Sequence, residues 1–360
     1  EEIVRIGEEG YKKYPDAYTF VKMKAAIEQE VNKSMKGAIG VYEKYLKNNN
    51  SESARTAVAS LYFKNGSPDK GVRMYEQIIE EKPYAVGYIS DLSEYYTETK
   101  NYPKAISYAN QALEFAPYVG SFWANLGKVY DAMNNNSKAI EYLNKATYYN
   151  PNDYENKKLL RKLKGENDIY DYFDKVDVDQ IATGKVTVPV REDDNAVILH
   201  IETQKIIYAE GGSEEKHIVV SKILTKSGVD NWKEYQIDYN PYSQRIIIEE
   251  AKIFKPNGNK IDAEKNRSYL VFTGLEVGDV VTIVYHLENY AHGKLANDFW
   301  EEYNFNSFYP RQNVKVSYII PNKKKFEYKA FNTDMKPTTK TIENLYTMYT
   351  WEQKDQPAIK

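Results

Sequence analysis

Prolines recur at a fixed interval in the first half of this 360-residue chain. Pro83, Pro117 and Pro151 are spaced by 34 residues, and each follows a segment whose apolar residues have helical spacing. In the segment from Ser121 to Pro151, one helical face carries aromatic, apolar and small residues: Trp123, Leu126, Gly127 and Tyr130. A second helix follows a polar break and carries small and apolar residues: Ala139, Leu143 and Ala146. Because a lone helix pair cannot bury its apolar face, such a unit must stack on copies of itself.

The same pattern returns when the chain is read backwards in steps of 34 residues. One step gives matching apolar and small residues: Leu92, Tyr96, Ala105 and Ala112. Two steps give a weaker match: Val58, Ala59, Tyr62, Gly71, Tyr75 and Ile78. The pattern resembles the tetratricopeptide repeat (TPR), although Ile89 and Ser93 replace the Trp and Gly in the middle unit. The resemblance implies an all-α solenoid of helix pairs.

Residues 1–165 are predicted to form this solenoid. Glu1–Pro15 has the pattern of a second helix whose partner would precede it, so we expect the chain to begin inside a longer protein. Asp153 can cap a further helix, Tyr154–Lys164, which Gly165 would end. The charged run KKLLRKLK predicts that this helix shields the last repeat from solvent, as the end of a solenoid requires.

The apolar period changes to alternation in the second half. Residues 166–184 are predicted to be a linker with a short helix near Ile169–Phe173. From 185 to 360, short alternating stretches separated by turn residues predict an all-β antiparallel sandwich. The predicted strands are an alternating stretch at Val186–Val190 and seven further segments: Val197–Tyr208, His217–Leu224, Arg245–Phe254, Asp279–Tyr285, Val314–Ile320, Phe326–Ala330 and Leu345–Trp351.

Six segments of this second half carry a further resemblance. They are AVILHIETQKII from Ala196, KILTKSGVDNW from Lys222, EEAKIFKPNGNKI from Glu249, LEVGDVVTIVYHLE from Leu275, FWEEYNFNSFYPRQNVKVSYIIP from Phe299 and YTWEQKDQPAI from Tyr349. Their order and spacing resemble the bacterial β-rich domain of unknown function that lies directly upstream of transglutaminase-like domains. The resemblance covers about 185–360 and implies fold and neighbourhood. It implies no catalytic residue here, because the thiol nucleophile of that family belongs to the following domain.

The resemblance also implies a location. Chains that combine these two domains are usually bacterial and exported, so we expect a periplasmic, cell-envelope or secreted protein. No export signal is visible in the segment. A net charge of −3 offers no electrostatic reason to expect nucleic acid or an anionic membrane as a partner, and no apolar run approaches the roughly 18 residues of a membrane span.

No cluster of residues predicts catalysis, a cofactor or a metal. Cysteine is absent, which excludes disulfides and thiolate chemistry within the segment. His200 and His217 lie in predicted strands, where a packed histidine is the simpler interpretation. A metal site formed by His286, Glu288 and His292 is conceivable, but nothing else in the sequence favours it. Ser213 follows two glycines, a pattern typical of a hairpin turn.

Binding is the better-founded function. In a TPR-like solenoid the first helix of each pair lines a groove. By analogy with that family, the groove would be lined by Thr56, Ser60, Phe63, Lys64, Ser90, Glu94, Thr97, Glu98, Ala124, Lys128 and Asp131. These residues do not reproduce the paired Lys and Asn with which some TPR proteins grip a C-terminal carboxylate. The mixed charges favour a polar or mixed-charge protein or peptide segment, or the chain's own β domain.

Two functions follow. The first is a non-catalytic protein-interaction scaffold, which would be a fragment of a larger transglutaminase-like envelope protein whose catalytic domain lies beyond the C-terminus. The alternative is a β sandwich that binds carbohydrate or peptide, with the repeats as a spacer. Trp232 and Trp300, predicted to be exposed, suggest this alternative.

Overall fold

The structure, a computed structural model, describes residues 2–359, which form two compact units divided between residues 150 and 151. Within 2–150 the chain forms nine helices, whose bounds are α1 Glu2–Lys13, α2 Tyr18–Glu30, α3 Met35–Leu46, α4 Glu52–Lys64, α5 Pro68–Glu81, α6 Val86–Glu98, α7 Tyr102–Phe115, α8 Gly120–Ala132 and α9 Asn136–Tyr149. From α2 onward the helices pack as consecutive pairs: α2 with α3, α4 with α5, α6 with α7, and α8 with α9. The predicted TPR-like solenoid is confirmed.

Side chains fix where several of these helices begin. Ser34 and Ser51 accept hydrogen bonds from backbone amides in the first turns of α3 and α4, at 3.0 and 3.3 Å. Asn135 does the same for α9 at 3.2 Å. Each cap satisfies an amide that has no partner within the helix. At these three turns a single polar residue therefore fixes where the next helix begins.

Aromatic rings and lysines form a repeated contact within the helix pairs. The ammonium groups of Lys70, Lys104 and Lys138 lie 5.1, 4.7 and 4.8 Å from the ring centres of Tyr62, Tyr96 and Tyr130, respectively. Each pair joins the first helix of a repeat to its second, and cation–π contacts of this kind contribute about 0.5–1 kcal/mol when exposed. A lysine thus recurs every 34 residues at an equivalent position, which the apolar pattern alone does not show.

The second unit is built on an eight-stranded sheet and a three-stranded sheet. Its strands are β1 Ala196–Ile207, β2 Ser213–Ile223, β3 Glu234–Gln236, β4 Gln244–Phe254, β5 Lys260–Asp262, β6 Glu264–Asn266, β7 Tyr269–Val271, β8 Val280–Asn289, β9 Arg311–Pro321, β10 Thr338–Ile342 and β11 Tyr346–Gln356. The large sheet has the order β10-β11-β9-β1-β2-β8-β4-β5, and the small one the order β3-β7-β6. The described strands pair antiparallel except β1 and β9, which run parallel.

Apolar residues on both faces of the large sheet are covered. On one face Val219 and Ile283 belong to a buried cluster with Trp232 and with Leu270 of β7, so the two sheets share a core. The helices of this unit are α10 Tyr154–Leu163, α11 Val178–Ala182 and α12 Lys226–Trp232, and a 3-10 helix spans Ile169–Tyr172, where a short helix was predicted. On the other face of the large sheet, Val197 clusters with Ala182 of α11. The predicted β sandwich is confirmed as a sandwich-like unit, with the parallel pair as a difference from the all-antiparallel expectation.

Helix α10 belongs to this second unit, which moves the predicted boundary from 165 to 150. Tyr154 is 2% exposed and clusters with Ile206 and Ile319 of the sheet, while its hydroxyl donates to the carbonyl of Asn289 at 2.5 Å. The predicted linker, 166–184, is likewise packed on the sheet, because Ile169 and Phe173 belong to the same cluster. The apolar side of α10 is thus buried against the large sheet of the second unit.

Two predicted strands are absent from the described residues. Val186–Val190 and Phe326–Ala330 have no strand structure. In the second of these segments, Phe326 contacts Tyr349 (ring centres 4.9 Å apart) and Tyr328 contacts Trp351 (5.4 Å). The alternating aromatic rings therefore cover β11 instead of adding a strand to the sheet.

Removing the Tyr154 hydroxyl tests the attachment of α10. We expect Tyr154→Phe to lower the free energy of unfolding by about 1 kcal/mol, because the Asn289 carbonyl loses a partly buried hydrogen-bond donor. Urea denaturation of the full chain measures the change. Tyr148→Phe is the matched control, since that side chain is 79% exposed. Equal stabilities of the two variants would contradict this attachment.

Candidate functional site

The predicted groove residues lie at equivalent positions on three first helices, α4, α6 and α8. Each helix contributes residues one turn apart, so they share one face. Five of the eleven are exposed: Ser60, Lys64, Glu94, Glu98 and Lys128. Five are half-buried: Thr56, Phe63, Ser90, Thr97 and Asp131. Ala124 is 2% exposed, so its side chain lies outside the surface that a partner can reach.

Two of the half-buried residues connect α4 with α6. The Thr56 hydroxyl lies 2.9 Å from the Tyr88 hydroxyl, which also donates to the carboxylate of Glu52 at 3.0 Å. The Phe63 ring contacts Tyr95 with a centroid distance of 5.2 Å. These contacts hold neighbouring repeats together at the base of the predicted groove.

A buried amide makes the corresponding connection between α6 and α8. Asn125 is 5% exposed, and its side chain lies 2.8 Å from the Ser90 hydroxyl. With the amide oxygen accepting from Ser90, the nitrogen can donate to Glu94 (Oε1, 3.2 Å) and to the backbone of Ser121. In this orientation both the oxygen and the nitrogen of the amide have suitable hydrogen-bond partners, whereas in the opposite orientation the oxygen faces only acceptors. Asn125 therefore orients Glu94.

Asn125 was not among the predicted groove residues. Its position is buried, and apolar spacing alone predicts only that a side chain there packs between helices. A polar amide at such a position is a usable signal, because buried polar groups are normally hydrogen-bonded to specific partners.

Among the described residues, two exposed lysines of this face form no ion pair, unlike the buried Arg55, which is paired. Arg55 is 8% exposed and donates two hydrogen bonds to Glu81, at 2.8 and 2.6 Å. Within residues 2–359, by contrast, the ammonium groups of Lys64 and Lys128 have no carboxylate within 4.0 Å. The face therefore carries unpaired positive charges on α4 and α8. The intervening first helix, α6, carries the negative charges of Glu94 and Glu98.

The histidines of the second unit contact sheet residues. His200 lies 3.1 Å from Glu202 and His286 lies 2.7 Å from Glu249, both measured from the ring Nε2 to a carboxylate oxygen. Glu288 instead accepts from the Tyr290 hydroxyl at 3.0 Å, so the conceivable trio with His292 is not gathered. Across residues 2–359 no group of three His, Asp or Glu side chains is arranged to hold a metal ion.

The two tryptophans behind the carbohydrate alternative differ in exposure. Trp232 is 6% exposed in the core between the sheets, so the expectation that it is exposed is wrong. Trp300 is 88% exposed. Among the described helices, none combines the length and apolarity needed to cross a bilayer.

Two family models match parts of the chain. Residues 209–360 match the family described as Domain of Unknown Function with solved-structure structure (DUF3857). Residues 24–197 match the family described as ChAPs (Chs5p-Arf1p-binding proteins). No curated protein matches the chain.

Solved structures that match part of the chain share little sequence with it. A crystal structure provisionally described as a protease from Parabacteroides distasonis has 16% identity and a TM-score of 0.40, covering 46% of this chain and 36% of that one. The C-terminal part of a TPR repeat-containing protein from Cytophaga hutchinsonii has 16% identity and a TM-score of 0.39, covering 44% and 63%. YrrB, described as a TPR protein with an unusual peptide-binding site, has 18% identity and a TM-score of 0.37, covering 44% and 81%.

The chain spans about a third of the first of these proteins and under two thirds of the second. None of these similarities identifies an activity or a ligand for this chain. The chain is therefore organised as an array of TPR-like helix pairs followed by a second unit whose residues 209–360 match the DUF3857 family model.

Proposed function

We propose that the first unit is a non-catalytic scaffold that binds an extended, mixed-charge segment of another protein. The observation that carries this proposal is the set of exposed charges at equivalent positions of α4, α6 and α8. Lys64 and Lys128 have no ion-pair partner in the described chain, so their charges are available to a ligand. A segment with acidic residues opposite the lysines and a basic residue opposite Glu94 and Glu98 would complement this face.

The contacts beneath these charges support the same function. Thr56, Phe63 and Asn125 hold the three first helices to one another, so the charged positions are fixed before a ligand binds. Preorganisation of this kind reduces the entropy lost on binding.

Charge reversal of both lysines tests the scaffold function. We expect Lys64→Glu with Lys128→Glu in the full chain to reduce retention of the native protein partner at least about tenfold, because two attractive contacts become repulsive. The measurement is affinity capture from the source organism, with each captured protein quantified by mass spectrometry.

The matched control is Lys36→Glu with Arg73→Glu, which changes the net charge by the same amount on second helices α3 and α5. Both residues are exposed and form no ion pair within residues 2–359. Circular dichroism would establish that both double variants are folded. Equal loss of partners in the two variants, or no loss in either, would contradict a specific role for this face.

We further propose that the segment is part of a larger transglutaminase-like bacterial envelope protein whose catalytic domain follows residue 360. The match of residues 209–360 to DUF3857 supports this, together with the sequence resemblance described above. Sequencing the native gene beyond this segment is the test. A Cys, a His and an Asp in that order are expected there, and fractionation is expected to find the protein in the periplasm, envelope or medium. A stop codon after residue 360 would contradict the proposal.

A second candidate function is carbohydrate or peptide binding by the β unit, with the repeats as a spacer. The 88% exposure of the Trp300 side chain favours it, since sugars stack on exposed aromatic rings. A glycan array probed with the full chain would show binding that Trp300→Ala abolishes. An array without any bound glycan would exclude the carbohydrate form of this function.

A further inference from the structure

A cavity of about 280 Å³ opens in the second unit beside the turn between β1 and β2. Ile207 and Ser213 contribute to it from the two strands of that hairpin, the segment 289–299 forms its wall, and Lys324 lines it from the turn after β9. All of these residues belong to the second unit, so the cavity is independent of the charged face of the repeats.

Specific contacts build the wall of this cavity. The amide nitrogen of the Asn152 side chain donates to the carbonyl of Ala291 at 3.1 Å, and its oxygen accepts from the Ala291 amide at 2.9 Å. Gly211 has a φ of +96°, and a Cβ there would lie 2.0 Å from the carbonyl oxygen of Ala296. Only glycine permits this close approach of the hairpin turn to the wall. The segment 291–296 is therefore hydrogen-bonded to Asn152 at one end and packed against the hairpin turn at the other.

Two opposite charges line the cavity without forming an ion pair. Lys324 is half-buried and its ammonium donates to the carbonyl of Asn297, while Asp298 is exposed at the rim. Within residues 2–359 their charged atoms are more than 4.0 Å apart. Burial lowers the pKa of Lys324, and the nearby Asp298 charge offsets part of that effect. The two groups thus face a shared space that separates them.

The remaining surface of the cavity is partly apolar. Ile207 is 2% exposed at the base, and the Leu295 and Phe299 side chains lie along the wall. Leu295 is 74% exposed, so its side chain is accessible to a ligand. A ligand with a small apolar group would cover this surface.

We propose that this cavity binds a small zwitterion with an apolar side chain, such as an apolar α-amino acid or a dipeptide. Lys324 binds the carboxylate, Asp298 binds the ammonium group, and the apolar side chain packs against Leu295 and Phe299. The volume lies just below the roughly 300–1,000 Å³ of typical ligand pockets, which limits the ligand to this size.

Isothermal titration calorimetry of the full chain tests the proposal with L-leucine and glycyl-L-leucine. Leucinamide lacks the carboxylate and N-acetyl-leucine lacks the ammonium group, so each is expected to bind at least about tenfold more weakly than a zwitterion of the same side chain. If neither zwitterion binds at concentrations up to about 10 mM, where even a weak millimolar site would be detected, the proposal is overturned. Equal binding of leucine and the two derivatives would also overturn it.

Variants connect binding to the two charges. We expect Asp298→Asn and Lys324→Gln each to weaken binding of the zwitterion about tenfold or more, with unchanged circular dichroism. Lys325→Gln is the matched control, because Lys325 lies outside the cavity lining and pairs with Glu327 at 2.7 Å. Wild-type affinity in both cavity variants would show that the ligand binds elsewhere and would overturn the assignment.

Discussion

Replacement of Lys205 by Met is expected to lower the free energy of unfolding by about 3–5 kcal/mol, the usual cost of breaking a buried ion pair. Lys205 is 7% exposed on β1, and its ammonium lies 3.3 Å from Glu215 and 2.9 Å from Glu301. Although burial alone would lower the pKa of Lys205, these two carboxylates raise it above its usual value. Without the ammonium, the carboxylates of Glu215 and Glu301 would lose the cation that both of them contact.

This loss depends on pH in a defined direction. Burial alone would raise the pKa of Glu215, but the His217 ring, whose Nε2 lies 3.4 Å from the carboxylate, and the charge of Lys205 lower it to about 2. A carboxyl group with a depressed pKa stabilises the fold above its unfolded pKa, and this contribution is lost as pH falls from about 4.5 to about 2. The difference between the wild type and Lys205→Met is therefore expected to shrink over that range.

Chemical denaturation at several pH values measures both effects. Lys325→Met serves as the control, because the Lys325 side chain is 86% exposed. The double variant Lys205→Met with Glu301→Gln should recover part of the loss, since only Glu215 then remains as a carboxylate that has lost the Lys205 charge. A difference of less than about 1 kcal/mol at neutral pH would match a surface ion pair and contradict this account.

Leu143→Ala is expected to destabilise the repeat unit by about 3 kcal/mol, within the range for leucines buried in a core. Leu143 on α9 is fully buried, and a Cβ placed on Gly127 of α8 would lie 2.7 Å from its Cγ. Leucine thus fills the space that glycine leaves where the two helices cross. Thermal unfolding followed by circular dichroism measures the loss.

The complementarity of this pair can be tested separately. Gly127→Ala alone is expected to destabilise the unit by about 1–3 kcal/mol through overpacking. In the double variant with Leu143→Ala, the added methyl occupies part of the vacated space, so the combined loss should be smaller than the sum of the single losses. Additive losses would show that the two positions are not in contact. Leu345→Ala is the control, because that leucine is 59% exposed.

The helix pairs could be predicted because their signal is local and repeated. A 34-residue period places small, apolar and aromatic residues at fixed intervals, and the structure confirms the resulting solenoid. The boundary at residue 165 was wrong for a physical reason. The charged run of α10 predicts a solvent-exposed cap, whereas burial of Tyr154 against Ile206 of the sheet depends on a contact between residues far apart in the chain.

Strand pairing shows the same limit. Alternation predicts that β1 and β9 are strands, but their parallel pairing is set by long-range packing. Phe326–Ala330 alternates like a strand, yet its rings pack on Tyr349 and Trp351 of β11, a long-range contact that alternation does not predict.

Helical periodicity predicted only part of which candidate-site residues are exposed. The equivalent positions of α4, α6 and α8 were identified from the repeat, and five of them are exposed. The orienting contact of Asn125 with Ser90 could not be identified in this way, since it joins two repeats. The cavity beside Gly211 is still less accessible to sequence reasoning, because its lining comes from separate segments of the second unit.

Site-specific photocrosslinking tests the central claim, binding of a protein segment by the first helices, most directly. A photoreactive amino acid would replace Ser60 on α4 or Glu98 on α6, with the exposed Arg73 of α5 as the control position. The account predicts that the same partner protein is crosslinked from Ser60 and Glu98 and not from Arg73. Crosslinks that are equally abundant at all three positions, or that occur at Arg73 alone, would contradict it.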